Sequence, residues 1–211
     1  MFQPAEEDGS GAEKVHNDPR FPEIAPDYAL ALHNFPGVPS GHAVIAPGPM
    51  NCASRGMKIT LEGRTAHASQ PGKGRSRAAA LSLLIRDLVS LAFGDDAAHP
   101  NFALVTVTHA RLGEPAFGIA PGKSEFWVTL RSQENAFMDD SIAWAEDLVA
   151  GTAMNAHLAH SVSYHDVFHQ CENDPEASDI LKAALQAEHV PLAETELPMR
   201  GSEDFGRFRI C

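Results

Sequence analysis

Met57-Lys58-Ile59-Thr60-Leu61-Glu62 is the stretch from which the fold of this chain is read. Met57, Ile59 and Leu61 alternate with Lys58, Thr60 and Glu62, the period of two that marks a half-buried strand. The loop Gly63 to Gly74 follows. A helix is expected from about Arg75 to Phe93, with Leu81, Leu84, Ile85 and Leu88 at helical spacing and Gly94 as its stop. Two more alternating runs come next: Ala103, Val105 and Val107, then Phe126, Val128 and Leu130 set against Trp127, Thr129 and Arg131. A second helix is expected from about Ala136 to Leu158, with Met138, Ile142, Ala145 and Val149 on one face, and Ser161 to Phe168 reads as a last strand. The order β-α-β-β-α-β is the split-βαβ or ferredoxin-like arrangement. It predicts a self-contained insert over residues 54–168, a four-stranded antiparallel sheet with both helices on one face.

The flanks read as α/β with loops. Residues 11–17 form a short helix that ends near Asn17-Asp18-Pro19. Asp27-Tyr28-Ala29-Leu30-Ala31-Leu32 is a short, mostly apolar run and is expected to be a buried strand. His33 would then sit at the carboxyl end of that strand, where α/β sheets gather their ligands. A histidine there serves either a structural role or a metal. A loop rich in Gly and Pro runs from Pro36 to Pro49, and a helix is expected over 176–188 after Asp174-Pro175.

Gln3-Pro4-Ala5-Glu6-Glu7 carries the most suggestive chemistry. In an extended or turning backbone, adjacent side chains point in different directions. One carboxylate can then bind a metal while the other reaches a water molecule, the division that metal-assisted hydrolysis needs. Taken alone, the pair also fits a solvated acidic turn before Gly9.

Composition narrows the classes. At 211 residues the chain holds one large domain or two small ones, and 44% hydrophobic content is ordinary for a globular protein. A formal net charge of −12 argues against nucleic acid and anionic membrane surfaces as partners. No run of 18 apolar residues is present, so no membrane span is expected, and no signal peptide is visible at the N-terminus. Cys52, Cys171 and Cys211 form neither a disulfide framework nor a zinc spacing, which fits a cytoplasmic location.

Four motifs in order, Phe2-Gln3-Pro4-Ala5-Glu6-Glu7, Ala31-Leu32-His33-Asn34, Gly63-Arg64-Thr65-Ala66-His67-Ala68 and Gly201-Ser202-Glu203-Asp204-Phe205, resemble the amidohydrolase branch of the M20 metallopeptidase family. Its members include hippurate hydrolases, N-acyl amino acid amidohydrolases and indole-acetyl amino acid hydrolases. The resemblance covers essentially the whole chain. It implies a zinc-peptidase-like catalytic domain in two segments, 1–53 and 169–211, with residues 54–168 as an inserted lid and dimerisation domain. It implies hydrolysis of the amide bond of an N-acyl amino acid with a divalent metal (Zn, Mn, Co or Ni, two ions in the complete enzyme) and a homodimer formed through the lid. An M20 dipeptidase or carboxypeptidase, or a non-catalytic dimerisation module, are the alternatives.

By the same resemblance Glu6 is the general base, Glu7 and His33 are metal ligands, and His67 is a catalytic histidine that reaches the partner subunit's site to stabilise an oxyanion. Arg131, in Thr129-Leu130-Arg131, matches a family arginine; its fork suits a substrate carboxylate, and an outward salt bridge is the other reading. Gly118, in Phe117-Gly118-Ile119-Ala120-Pro121-Gly122, stands where the family usually carries a substrate-binding asparagine, so one polar contact is lost. Glu203 and Asp204 match an acidic pair at the cleft, with Glu203 as a substrate-binding candidate; the competing reading is a helix start, with Ser202 as cap and acids in the first turn. Family members also carry a Cys-x-His pair upstream of the Glu-Glu motif and a final histidine downstream. The chain is therefore expected to be truncated at both ends and inactive by itself.

Overall fold

The computed structural model describes residues 3–76 and 78–210. In chain order the elements are α1 (Gly11–His16), β1 (Gly48–Asn51), β2 (Ala53–Glu62), β3 (Ala66–His67), α2 (Ala78–Val89), β4 (Ala103–Leu112), β5 (Ile119–Ala120), β6 (Lys123–Ser132), α3 (Asn135–Asn155), β7 (Ala159–Phe168), β8 (Cys171–Asn173), α4 (Pro175–Ala187) and α5 (Arg207–Ile210). The chain divides into two compact units, one of residues 1–53 with 168–211 and one of residues 54–167.

The unit of residues 54–167 is built on a four-stranded sheet in the order β4-β6-β2-β7. Counted along the chain, these strands lie second, third, first, fourth. β4 and β6 pair antiparallel, with Val105 opposite Leu130 and Val107 opposite Val128, and the register shifts between Val107 and His109. Alternation along the strands sends Ile59, Leu61, Phe126, Val128 and Leu130 into the core. α2 and α3 touch each other and both touch β4 and β6, so they cover the same face. Leu81, Leu84 and Leu88 of α2 and Met138, Ala145, Val149 and Ala153 of α3 form the buried stripes that a period of 3.6 requires. Each large apolar side chain so buried contributes about 1.5–3 kcal/mol.

The other face of the sheet is polar and aromatic. Lys58 Nζ lies 3.0 Å from Glu125 and 5.4 Å from the centre of the Trp127 ring, and His109 stacks at a tilt against that ring at 5.2 Å. Helix α2 is shorter than the expected 75–93. The backbone of Phe93 leaves the helical ladder and exchanges hydrogen bonds of 2.8 and 3.0 Å with Ala103, just before Gly94 turns with φ of +71°. Arg77, within that expected helix, lies outside the described residues. β3 and β5 form a short antiparallel pair, Ala66 opposite Ala120 and His67 opposite Ile119. His67 thus stands on a brief strand rather than in an open loop.

In the other unit β1 and β8 pair antiparallel, with Gly48 opposite Asn173, and isolated bridges join Ala43 to Leu192 and Asn51 to Met199. α4 starts on Asp174, whose side chain accepts from the amides of Glu176 and Ala177 at 2.8 and 3.1 Å, with Pro175 in the first turn. The expected buried strand at Asp27–Leu32 is not formed. These residues have no strand partner, and Leu30 and Leu32 are 51% and 87% exposed. An apolar run becomes a strand only where another strand takes up its backbone donors and acceptors, and none of the described residues does so here. His33 consequently does not mark a strand end. No helix of the described residues is long and apolar enough to cross a membrane.

Candidate active site

The acidic pair sits on a sharply turned backbone. Ala5 adopts the left-handed conformation (φ 55°, ψ 41°), which L-residues other than glycine visit at a cost. Glu6–Asp8 then make a single 3-10 turn closed by a bond of 2.8 Å from the Gly9 amide to the Glu6 carbonyl. The chain folds back so tightly that a Cβ at Gly11 would lie 1.9 Å from the Pro4 carbonyl oxygen. Gly11 is required by that approach, and it is what lets α1 start directly behind the turn.

Asp204 holds both arms of this turn. It is 2% exposed; one carboxylate oxygen accepts from the side-chain amide of Gln3 and the other accepts from the Ala12 amide at 2.8 Å. Residues on either side of Glu6-Glu7 are thereby fixed to one buried carboxylate. Residues 201–204 are not helical, and the Ser202 hydroxyl donates to the Cys52 carbonyl at 2.7 Å instead of capping a helix. The helix-start reading of Glu203 and Asp204 is therefore incorrect: the Ser202 hydroxyl bonds the carbonyl of Cys52, between β1 and β2, and α5 begins only at Arg207.

Glu203 faces the base candidate. Burial first, then the hydrogen bond that protonated Glu6 donates to Glu203 and the negative charges of Glu203, Asp204 and Glu7, push the Glu6 carboxyl up to about 7. A hydrogen bond between two carboxyl groups needs one proton, and the raised group holds it. Glu203 also reaches His33, whose Nε2 lies 3.4 Å from Glu203 Oε1. His33 Nδ1 donates to the Asn34 carbonyl at 2.6 Å, so in the neutral ring Nε2 carries the free lone pair. The structure thus gathers Glu6, Glu203 and His33, with Asp204 near enough for its charge to act on Glu6. Glu7, on the same turn, is exposed. The sequence reading missed the supporting roles of Gln3 and Asp204; both stand inside the quoted motifs, and only their contact across the chain reveals the clamp.

The remaining predicted residues belong to the unit of residues 54–167. His67 is exposed, with Nδ1 2.8 Å from Ser69 Oγ and 3.2 Å from the Ser69 amide. The Gly118 carbonyl accepts from the Ala68 amide at 2.9 Å, so Gly118 supports the His67 strand through its backbone. Arg131 lies on β6 opposite Leu104, half-buried and on the face that alternates with Leu130.

Carboxylates and a neutral imidazole whose second nitrogen is anchored on a backbone carbonyl are suitable donors for a divalent cation. Among the described residues no group of three or more His, Cys, Asp or Glu side chains is gathered closely enough to hold a metal ion. The donor types fit; the described residues do not assemble a full coordination sphere.

Comparison with known proteins identifies the family. The model of peptidase family M20/M25/M40 matches residues 1–211. The chain is 27% identical over 208 residues to N-acetyldiaminopimelate deacetylase of Bacillus subtilis and 27% identical over 211 residues to hippurate hydrolase of Campylobacter jejuni, in each case covering 98% of this chain. It spans about half the length of these curated relatives, 54% of each. Among solved structures, aminobenzoyl-glutamate utilization protein from Klebsiella pneumoniae superposes with a TM-score of 0.74 at 24% identity, over 98% of this chain and 51% of that one. A dinuclear metal binding peptidase of the M20 family from Bacillus subtilis does so with a TM-score of 0.72 at 19% identity, over 99% and 51%. The chain belongs to peptidase family M20/M25/M40.

Proposed function

We propose that this chain contributes the general base to metal-dependent hydrolysis of the amide bond in N-acyl amino acids. One observation carries the reading: Glu6, next to Glu7 and hydrogen-bonded to Glu203, has its carboxyl pushed up to about 7. A group poised there takes a proton from water and returns it at neutral pH. In this scheme Glu6 takes the proton of the attacking water, the oxygen adds to the acyl carbon, and Glu6 delivers the proton to the leaving amine. Glu7 and His33 Nε2 are the residues that would hold a divalent ion, which supplies a lowered pKa for the water and polarises the carbonyl. Ligand type does not choose between Zn, Mn, Co and Ni. Asp204 and Gln3 keep the turn in place. Arg131 is assigned to the substrate carboxylate, and Gly118 stands at a substrate-binding position without a side-chain amide.

Residues 54–167 are read as the ferredoxin-like lid and dimerisation domain, supported by the strand order and the single covered face. Residues 1–53 and 168–211 are read as the catalytic segments. In the homodimer His67 would act on the partner subunit's substrate. A cytoplasmic setting is read from the three widely spaced cysteines, which form neither a disulfide framework nor a zinc spacing. Zinc sites of this chemistry use three protein ligands or more, so with Glu7 and His33 alone the 211-residue chain is expected to turn over little. The test is hydrolysis of hippurate and acetylated amino acids by the protein as its gene encodes it, with Zn, Mn or Co added. Metal-stimulated turnover lost in Glu6→Gln supports the reading. Turnover that survives Glu6→Gln, or that needs no metal, overturns it.

A further inference from the structure

We propose that Ser69 is a positioning residue that fixes the tautomer of His67, so that its Nε2 is a hydrogen-bond donor and not a base. The inference rests on the catalytic reading of His67 above for its purpose, but not for its evidence. The Ser69 amide lies 3.2 Å from His67 Nδ1 with hydrogen-bond geometry. A backbone N–H only donates, so Nδ1 must accept, and in the neutral ring it cannot also carry the proton. The Ser69 hydroxyl, 2.8 Å from the same nitrogen, then donates as well. The proton is left on Nε2.

The surrounding backbone bonds define the turn. His67 is held in register against Ile119, its carbonyl accepts from the Gln70 amide at 2.8 Å, and the Ala68 amide donates to the Gly118 carbonyl at 2.9 Å. The turn from His67 to Gln70 therefore presents both Ser69 donors to the ring. The side chain is exposed, and its Nδ1 is the nitrogen taken by Ser69, which leaves Nε2–H available. A fixed neutral donor of this kind is suited to an acyl oxygen on which negative charge develops. A ring free to place its proton on Nδ1 would instead present a lone pair, which repels that charge. Ser69 thus determines which of the two chemistries His67 offers.

The tautomer is read directly by long-range 1H–15N NMR on the 211-residue chain at about pH 9, where an ordinary imidazole is neutral. The His67 signals are identified by their absence in His67→Gln. Wild type is expected to show the Nε2–H form. Ser69→Ala loses the hydroxyl donor and should move the tautomer ratio toward Nδ1–H by about fivefold, the scale of one net hydrogen bond. Ser69→Thr, which restores a hydroxyl, should return it. An Nδ1–H form in wild type, or a ratio unchanged in Ser69→Ala, overturns the proposal. A circular dichroism spectrum equal to wild type separates this effect from loss of fold. Because no turnover is measured, failure of the hydrolase reading would leave these spectra unchanged, and the two failures are distinguishable.

Discussion

Replacing Glu203 with Gln should bring the Glu6 carboxyl back toward the ordinary carboxylate range. Glu6 stands at about 7 against 4.5 for a free glutamate, and burial is the largest cause, followed by the hydrogen bond and the charge of Glu203. Burial persists in Glu203→Gln. The amide removes one negative charge and donates to the ionised form of Glu6, which favours ionisation. A fall of about one pH unit is expected. The same perturbation appears in stability. Between 4.5 and about 7 the folded state holds a proton on Glu6 that the unfolded chain has released. The stabilising contribution is thus complete below 4.5 and is lost as pH rises through 7, with no further change above it. At full strength a rise of that size corresponds to roughly 3.4 kcal/mol. Glu6 is only half-buried, and solvent screening reduces the expected figure to about 1–2 kcal/mol. Glu203→Gln should remove about half of it. The assay is a 13C NMR titration of the Glu6 carboxyl, assigned with Glu6→Gln, together with urea unfolding of both proteins at pH 4.5 and 7.5. A wild-type Glu6 that titrates near 4.5, or one that titrates alike in both proteins, would refute the reasoning.

Two further outcomes test the framework around the site. Asp204→Ala removes the acceptor of Gln3 and leaves the amide of Ala12, which is 0% exposed, without its partner; the cost should be about 3 kcal/mol in urea unfolding, with faster exchange of the Ala12 amide. Phe126→Ala, at a fully buried position in the centre of β6, should cost about 3–5 kcal/mol; a change below about 1 kcal/mol would mean that the packing of α2 and α3 on this face is wrong.

The unit of residues 54–167 was legible because its core is local and alternates cleanly. Phe126, Val128 and Leu130 sit where a period of two puts them, and Met138, Ala145 and Val149 sit where a period of 3.6 does. The reading went astray where a partner decides the outcome. Asp27–Leu32 has the composition of a strand but no ladder to join among the described residues, and Phe93 left its helix to bond with Ala103. At the site, Glu6 could be named from its motif and the Glu203-Asp204 pair placed at the cleft by resemblance, yet the contacts between them could not be read. Glu203 and Asp204 are nearly two hundred residues away in the chain, and the contacts of Gln3, Ala12 and Glu6 with them are long-range facts. The helix-start reading of Ser202 failed for the same reason: its hydroxyl is taken by the distant Cys52 carbonyl.

The division of labour between two neighbouring carboxylates is the central claim, and metal binding tests it most directly. Purified 211-residue chain is titrated with Co, whose visible spectrum reports its ligands, and the affinities of Glu6→Gln, Glu7→Gln and His33→Ala are compared. If Glu7 and His33 are ligands and Glu6 is the base, Glu7→Gln and His33→Ala weaken binding by at least about tenfold, since even the loss of a residue that merely supports a ligand has that effect. Glu6→Gln should leave affinity within about twofold, well below that scale. Binding that falls in Glu6→Gln and persists in Glu7→Gln would contradict the assignment.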